Sequence, residues 1–190
     1  MHARTRRVWM LLLLASYAHA RAAEAPGATD REIASQLAAG LKGALTQALQ
    51  VSPQSAIAVC NERAPEIAAK LSATHDVQVG RTALRVRNES NRPTAWQEDV
   101  LNDFQRRAAA GEPLASMEYS ATVARHGVTE HRYMKAIVTE ALCVTCHGQQ
   151  LAPGLQQAIA AKYPSDAATG FSVGDLRGAV YVVRPVTSPR

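Results

Sequence analysis

The stretch Cys143-Val144-Thr145-Cys146-His147 places two cysteines three positions apart, with a histidine directly after the second. This spacing is the attachment signature of a c-type haem. The thiols bond to the porphyrin vinyl groups, and the adjacent imidazole is then held by the iron as its proximal ligand. Two weaker alternatives are a thioredoxin-type dithiol, which needs a βαβ context, and a zinc site, which needs a fourth ligand. The motif therefore predicts one covalently bound haem c.

The N-terminus has the pattern of an export signal. Arg4, Arg6 and Arg7 form a basic region, residues 8–15 are apolar, and small-x-small cleavage sites follow at 18–20 and 20–22. The apolar run is too short to span a bilayer. We therefore expect residues 1–22 to be a cleaved signal peptide, and the mature protein to be periplasmic without membrane insertion.

The charge of the chain lies largely in this leader. The whole sequence carries a formal net charge of +5, and residues 1–22 contain arginines but no acidic residue. The mature chain is therefore close to neutral, which gives no support for nucleic-acid binding. Its length fits a single domain, and we assign residues 23–28 to a short linker and 29–190 to one haem-binding domain.

The first part of this domain is predicted to be helical. Thr29 and Glu32 have the spacing of a capping box, so we expect a helix to begin at Thr29. Its apolar residues recur every four positions and form one core-facing stripe, made of Ile33, Leu37, Leu41, Leu45 and Leu49.

Cys60 lies on a second predicted helix. Ser52 followed by Pro53 is typical of a helix start, and Cys60 falls on the apolar face that follows. Pro65 should kink or divide this helix. A single cysteine on an apolar face is usually a small buried hydrophobic residue, but beside a haem motif it is also a candidate iron ligand.

The rest of the chain alternates short strands and helices. We predict strands at 77–86, 117–123, 129–138 and 179–186, a turn at His126-Gly127, and helices at the Thr94/Gln97 capping box and around 155–161. Because helices come first and an antiparallel meander follows, the pattern favours an α+β fold with a sheet of about four to five strands flanked by helices.

Several segments together resemble a known family. They are Ala56–Cys60, Gly80–Thr82, Arg87–Trp96, Cys143–Gly148 and Gly170–Gly178. In this order they resemble the single-haem, PAS-like periplasmic domains (Tll-like haem-binding domains) that also serve as input modules of sensor kinases. The resemblance implies a PAS-like fold and makes Cys60 the iron ligand opposite His147. It implies no particular reaction.

The residues alone leave the second iron ligand open. Candidates with a suitable donor atom are Cys60, His75, Met117, His126, His131 and Met134. Of these, Cys60 is the one on a predicted core-facing helix. An open or water-bound position is a further alternative.

Other residues are candidates for the walls of the haem pocket. Arg81, Arg85 and Arg87 could pair with haem propionates, because guanidinium binds carboxylate through two donors, or they could be solvated strand positions. Phe171 could line the pocket or simply pack in its glycine-rich loop.

These features predict a protein that senses redox state or a small ligand and passes the signal to a separate protein partner. An electron-transfer cytochrome with a redox partner is the first alternative. A haem enzyme such as a peroxidase is the second, and it would need His75 or His126 as its acid-base residue.

Overall fold

The computed structural model describes residues 26–125 and 127–186. The predicted signal peptide at 1–22 and His126 lie outside the described residues.

Six helices and a four-stranded sheet make up the fold of the described residues. The elements are α1 (Pro26–Val51), α2 (Pro53–Ala58), a π-helical turn (Val59–Arg63), α3 (Ala64–His75), β1 (Gln78–Thr82), α4 (Ala95–Ala109), β2 (Glu118–Arg125), β3 (Val128–Val138), α5 (Ala141–His147), α6 (Pro153–Lys162) and β4 (Leu176–Pro185). The strand order is β1-β4-β3-β2, and every neighbouring pair is antiparallel. The predicted α+β class, with helices flanking an antiparallel sheet, is confirmed.

Three predicted boundaries are wrong by three or four residues, and one of them is the start of β4, which lies at Leu176 instead of 179. Helix α1 begins at Pro26, inside the segment assigned to the linker, so Thr29 lies within the helix and cannot cap it. Proline is favoured at the start of a helix because the first backbone N–H groups have no partner there. Strand β1 ends at Thr82, four residues before the predicted end, where β4 reaches Gly178 and the chain turns away.

The sheet packs on both faces. Helices α1 and α3 cover one face through a cluster that includes Ile33, Leu37 and Tyr133. Helix α4 covers the other through Phe104 and Met134. Tyr133 and Met134 are adjacent in β3, so their opposite directions follow from the two-residue period of a strand.

The Thr94/Gln97 capping box that starts α4 is confirmed. The predicted hairpin is also confirmed, as the antiparallel pair β2 and β3.

A buried polar network fixes α1 to the sheet. Asp30 is fully buried, and its Oδ1 accepts a hydrogen bond from Arg184 Nη2 at 2.8 Å. Its Oδ2 accepts from His131 Nδ1 at 2.6 Å, while Ser120 Oγ lies 2.9 Å from His131 Nε2. His131, a sequence candidate for the iron ligand, thus has both ring nitrogens engaged in this network. Met117 and Met134, also candidates, lie fully buried in the cluster beneath α4.

No helix in the described ranges, 26–125 and 127–186, is long and apolar enough to cross a membrane.

Candidate cofactor site

One pocket collects most of the residues singled out by the sequence. It lies between the C-terminal half of α1, the π-helical turn, the chain after β1, and α5, and its empty volume is about 1070 Å³ counting its open mouth. Side chains with charged or metal-binding atoms in its lining are Cys60, Arg81, Arg87, Cys143, Cys146, His147 and Arg177. Leu45, Leu49 and Ile57 supply part of its apolar wall, so the pocket combines an apolar surface with a few convergent polar groups, as cofactor pockets do.

Helix α5 carries the Cys-x-x-Cys-His motif. Its seven residues, Ala141–His147, place Cys143, Cys146 and His147 on one face, because residues three and four positions apart are neighbours on a helix. Glu140 caps the helix, and its backbone N–H points to Cys143 Sγ at 3.4 Å. Lys42 Nζ donates to Glu140 Oε2 at 2.6 Å, which ties this cap to α1. The motif is therefore presented to the pocket by a short, anchored helix.

His147 is oriented for metal binding through Nε2. Its Nδ1 lies 2.6 Å from the carbonyl oxygen of Ala168, so this nitrogen is the donor and the Nε2 lone pair is free. Phe171 packs edge-on against the imidazole, with ring centroids 6.4 Å apart and planes at 88°. Burial, with the nearby charges of Arg177 and Arg87, lowers the pKa of His147 to about 2. The imidazole is therefore neutral, which is the form that binds a metal.

The π-helical turn presents Cys60 to the same pocket. Ser52 caps α2 as predicted, accepting from the backbone N–H of Ser55 at 3.0 Å. At the end of the turn, the N–H of Ala64 bonds to the carbonyl of Val59, five residues back. Pro65 follows directly after the turn within the same helical run, and because it has no N–H it cannot donate to a carbonyl of the turn, which leaves the helix irregular there. Single π-helical turns are frequent at functional sites, and here the turn carries the sulfur atom that faces the motif pocket.

Burial also affects the thiol of Cys146. Its pKa is raised by desolvation and by the neighbouring sulfurs of Cys60 and Cys143, and Arg87 opposes this rise. The three sulfur atoms therefore share one environment, the lining of this pocket.

The predicted arginines have three different roles. Arg87 pairs with Asp166 at 2.9 Å and donates to the carbonyl of Cys146 at 2.6 Å, so it pins the motif backbone to the loop after α6. Arg81 lines the pocket. Arg85 does not: its guanidinium stacks on the Phe171 ring at 4.3 Å, and its Nε donates to the carbonyl of Ala167.

Arg177 is a pocket residue that sequence reasoning missed. It lies at the start of β4, where it lines the pocket and stacks on the other predicted wall residue, Phe171, at 5.1 Å. Phe171 itself lies behind His147, outside the pocket lining. The sequence did contain a signal for this residue, because Arg177 lies within Gly170–Gly178, one of the segments that carry the family resemblance.

Close packing against β1 requires a glycine at position 178, the end of the Gly170–Gly178 segment. This glycine lines the pocket with a φ of 154°, and a Cβ there would lie 2.4 Å from the carbonyl oxygen of Thr82. The close approach of β4 to the end of β1 therefore requires a residue without a side chain.

His75 is the remaining histidine candidate with a described position. It ends α3 outside the pocket lining, and its carbonyl accepts a hydrogen bond from Arg184 at 3.4 Å. Of the described candidates for the second iron ligand, only Cys60 lines the pocket.

A pocket with Cys-x-x-Cys-His on one wall and a further cysteine in its lining defines a candidate c-type haem domain. The family model for Tll0287-like proteins matches residues 15–185. The chain therefore belongs to the Tll0287-like family, which confirms the resemblance drawn from the sequence.

A solved structure gives the same relationship. The crystal structure of the cyanobacterial heme-protein Tll0287 matches with 26% identity and a TM-score of 0.62, covering 84% of this chain and 94% of that chain. Comparison with curated proteins gave no match.

Proposed function

We propose that this chain is an exported, periplasmic, PAS-like haem protein that senses redox state or a small ligand. In this proposal Cys143 and Cys146 bind one haem c covalently, and His147 and Cys60 are its axial ligands. The observation that carries the proposal is the presence of Cys60 in the same pocket as the motif. The match to a cyanobacterial heme-protein supports it.

The residues present fit a haem. The motif supplies the two thiols and a neutral imidazole, the lining is largely apolar, and guanidinium groups are available for carboxylates. When bound, the haem supplies an iron atom that changes its charge by one electron.

Cys60 is the residue that would convert this charge change into movement. A thiolate donates electron density and favours ferric iron, so we expect a low reduction potential compared with a His/Met cytochrome. With a haem bound, reduction would lower the charge on the iron, so the sulfur of Cys60 would take up a proton from solvent more readily and leave as a neutral thiol.

Contacts near Cys60 connect the π-helical turn to α6, so a movement of Cys60 would affect that helix. Ile57, one turn before Cys60, packs with Leu155, Ile159 and Tyr163 in a cluster that joins α2 to α6. Displacement of the π-helical turn would therefore disturb α2 and its contact with α6. A local charge change that biases a packed element is a common switching device. A separate signalling or redox protein would read the altered surface.

The experiment is to reduce the holoprotein, add carbon monoxide, and follow the Soret band of the wild type and Cys60→Ser. We expect the ferric wild type to be six-coordinate and low-spin, and its reduced form to bind carbon monoxide rapidly. Cys60→Ser should lose the thiolate signature in the ferric EPR spectrum and have a higher potential. Val59→Ala, on the same turn but outside the pocket lining, is the matched control and should keep the wild-type spectrum.

The alternatives give different results in this experiment. A reduced wild type that stays six-coordinate, binds no carbon monoxide and exchanges electrons quickly would favour an electron carrier. Fast peroxide turnover by the ferric wild type would favour an enzyme. Within the described residues the pocket lining contains no histidine besides His147 to serve as the acid-base group of a peroxidase.

A further inference from the structure

The guanidinium groups around the pocket fall into two kinds. Arg87 already has a carboxylate partner, Asp166, and its Nη2 also bonds the carbonyl of Cys146. Arg85 lies outside the pocket lining, on Phe171. Neither is therefore available to a ligand without giving up a contact or moving.

Arg81 and Arg177 differ from them. Both line the pocket, and among the residues the structure describes neither forms an ion pair with a carboxylate. Arg177 Nη1 donates to the carbonyl of Arg85 at 3.2 Å, a neutral acceptor. Two cations thus face the pocket without a negative partner.

This arrangement is costly without an anion. Desolvation lowers the pKa of Arg81, and desolvation together with the charges of Arg87 and Arg81, only partly offset by Asp166, lowers the pKa of Arg177 to about 10. Removing like charges from water in one region is unfavourable unless carboxylates compensate them. A ligand that brings two carboxylates would match the two guanidiniums, each through paired N–H donors.

We propose that Arg81 and Arg177 bind the two propionate groups of the haem inside the pocket. This inference rests on the proposed haem binding, and it assigns the propionates to a different pair of arginines from the neighbouring Arg85 and Arg87.

The test uses the holoprotein in four forms: wild type, Arg81→Gln, Arg177→Gln and the control Arg85→Gln. The readouts are the propionate bending mode in the resonance Raman spectrum and the midpoint potential as a function of pH. In Arg81→Gln and Arg177→Gln we expect a shifted bending mode and a lower potential, because a lost cation no longer stabilises the reduced, less positive haem. The pH-dependent region of the potential should move upward, since a propionate without its cation holds a proton more tightly. Arg85→Gln should match the wild type.

The outcomes separate this inference from the proposed function. Haem-bearing variants whose Raman spectra and potentials match those of Arg85→Gln would overturn the propionate assignment alone. A wild type without haem would overturn both. If a glutamine variant does not fold, Arg81→Lys and Arg177→Lys keep the charge but lose the paired donors. They should show a smaller shift of the same sign, and an unchanged spectrum would contradict the assignment.

Discussion

Replacing His147 by alanine is expected to leave both thioether bonds in place while removing the proximal iron ligand. The ferric haem should change completely from low-spin to high-spin, because the strong-field imidazole is lost. The optical and EPR spectra of the ferric holoprotein measure this change.

The matched control for His147→Ala is Phe171→Leu. Phe171 touches the imidazole edge but supplies no ligand atom, and the bond from Nδ1 to Ala168 remains to orient the ring. This variant should therefore stay low-spin. An unchanged low-spin spectrum in His147→Ala would show that another residue occupies the proximal position.

Asp30→Asn is expected to cause a large loss of stability. The fully buried carboxylate of Asp30 accepts from both Arg184 and His131, and an amide in its place leaves the guanidinium of Arg184 without its counter-charge. Because the Arg184 side chain is 26% exposed and partly solvated, we expect a loss of about 1–3 kcal/mol of unfolding free energy. Denaturant unfolding of the holoprotein measures the loss.

Glu32→Gln is the control for this variant, since Glu32 is exposed on the same helix. Its unfolding free energy should change by less than about 0.5 kcal/mol. Equal unfolding midpoints for Asp30→Asn and the wild type would contradict a role for the network in fixing α1 to the sheet.

The features that the sequence predicted well are local ones. The cap at Ser52 and the capping box at Thr94 each depend on residues within one helical turn. The β2–β3 hairpin likewise depends on neighbouring chain and on strand periodicity. Such patterns are readable because the interactions they encode are formed by nearby residues.

The features that the sequence missed depend on distant contacts. The end of β1 is set by the approach of Gly178 to Thr82, which lies far away in the chain. Because the strand stops there, Arg81 faces the pocket while Arg85 turns outward onto Phe171. The sequence alone could not show which of Arg81 and Arg85 faces the pocket, because both are at alternate positions of the predicted strand. Arg177 enters the pocket only because β4 pairs with β1 and β3.

The position of Cys60 in the fold was predicted in part. Its place on an apolar helix face was readable from periodicity, but the π-helical turn that carries it was not. That turn depends on a bond between Ala64 and Val59 that no sequence pattern specifies, although Pro65 marked the point where the helix would be irregular.

The most direct measurement is the mass of the mature protein after denaturation and extraction with acidified acetone. The proposed function predicts a polypeptide that starts just after residue 20 or 22 and carries one haem through two thioether bonds. The haem should stay with the protein in the pellet. Haem released into the acetone, or a haem-free polypeptide isolated with zinc, would contradict covalent attachment at Cys143 and Cys146.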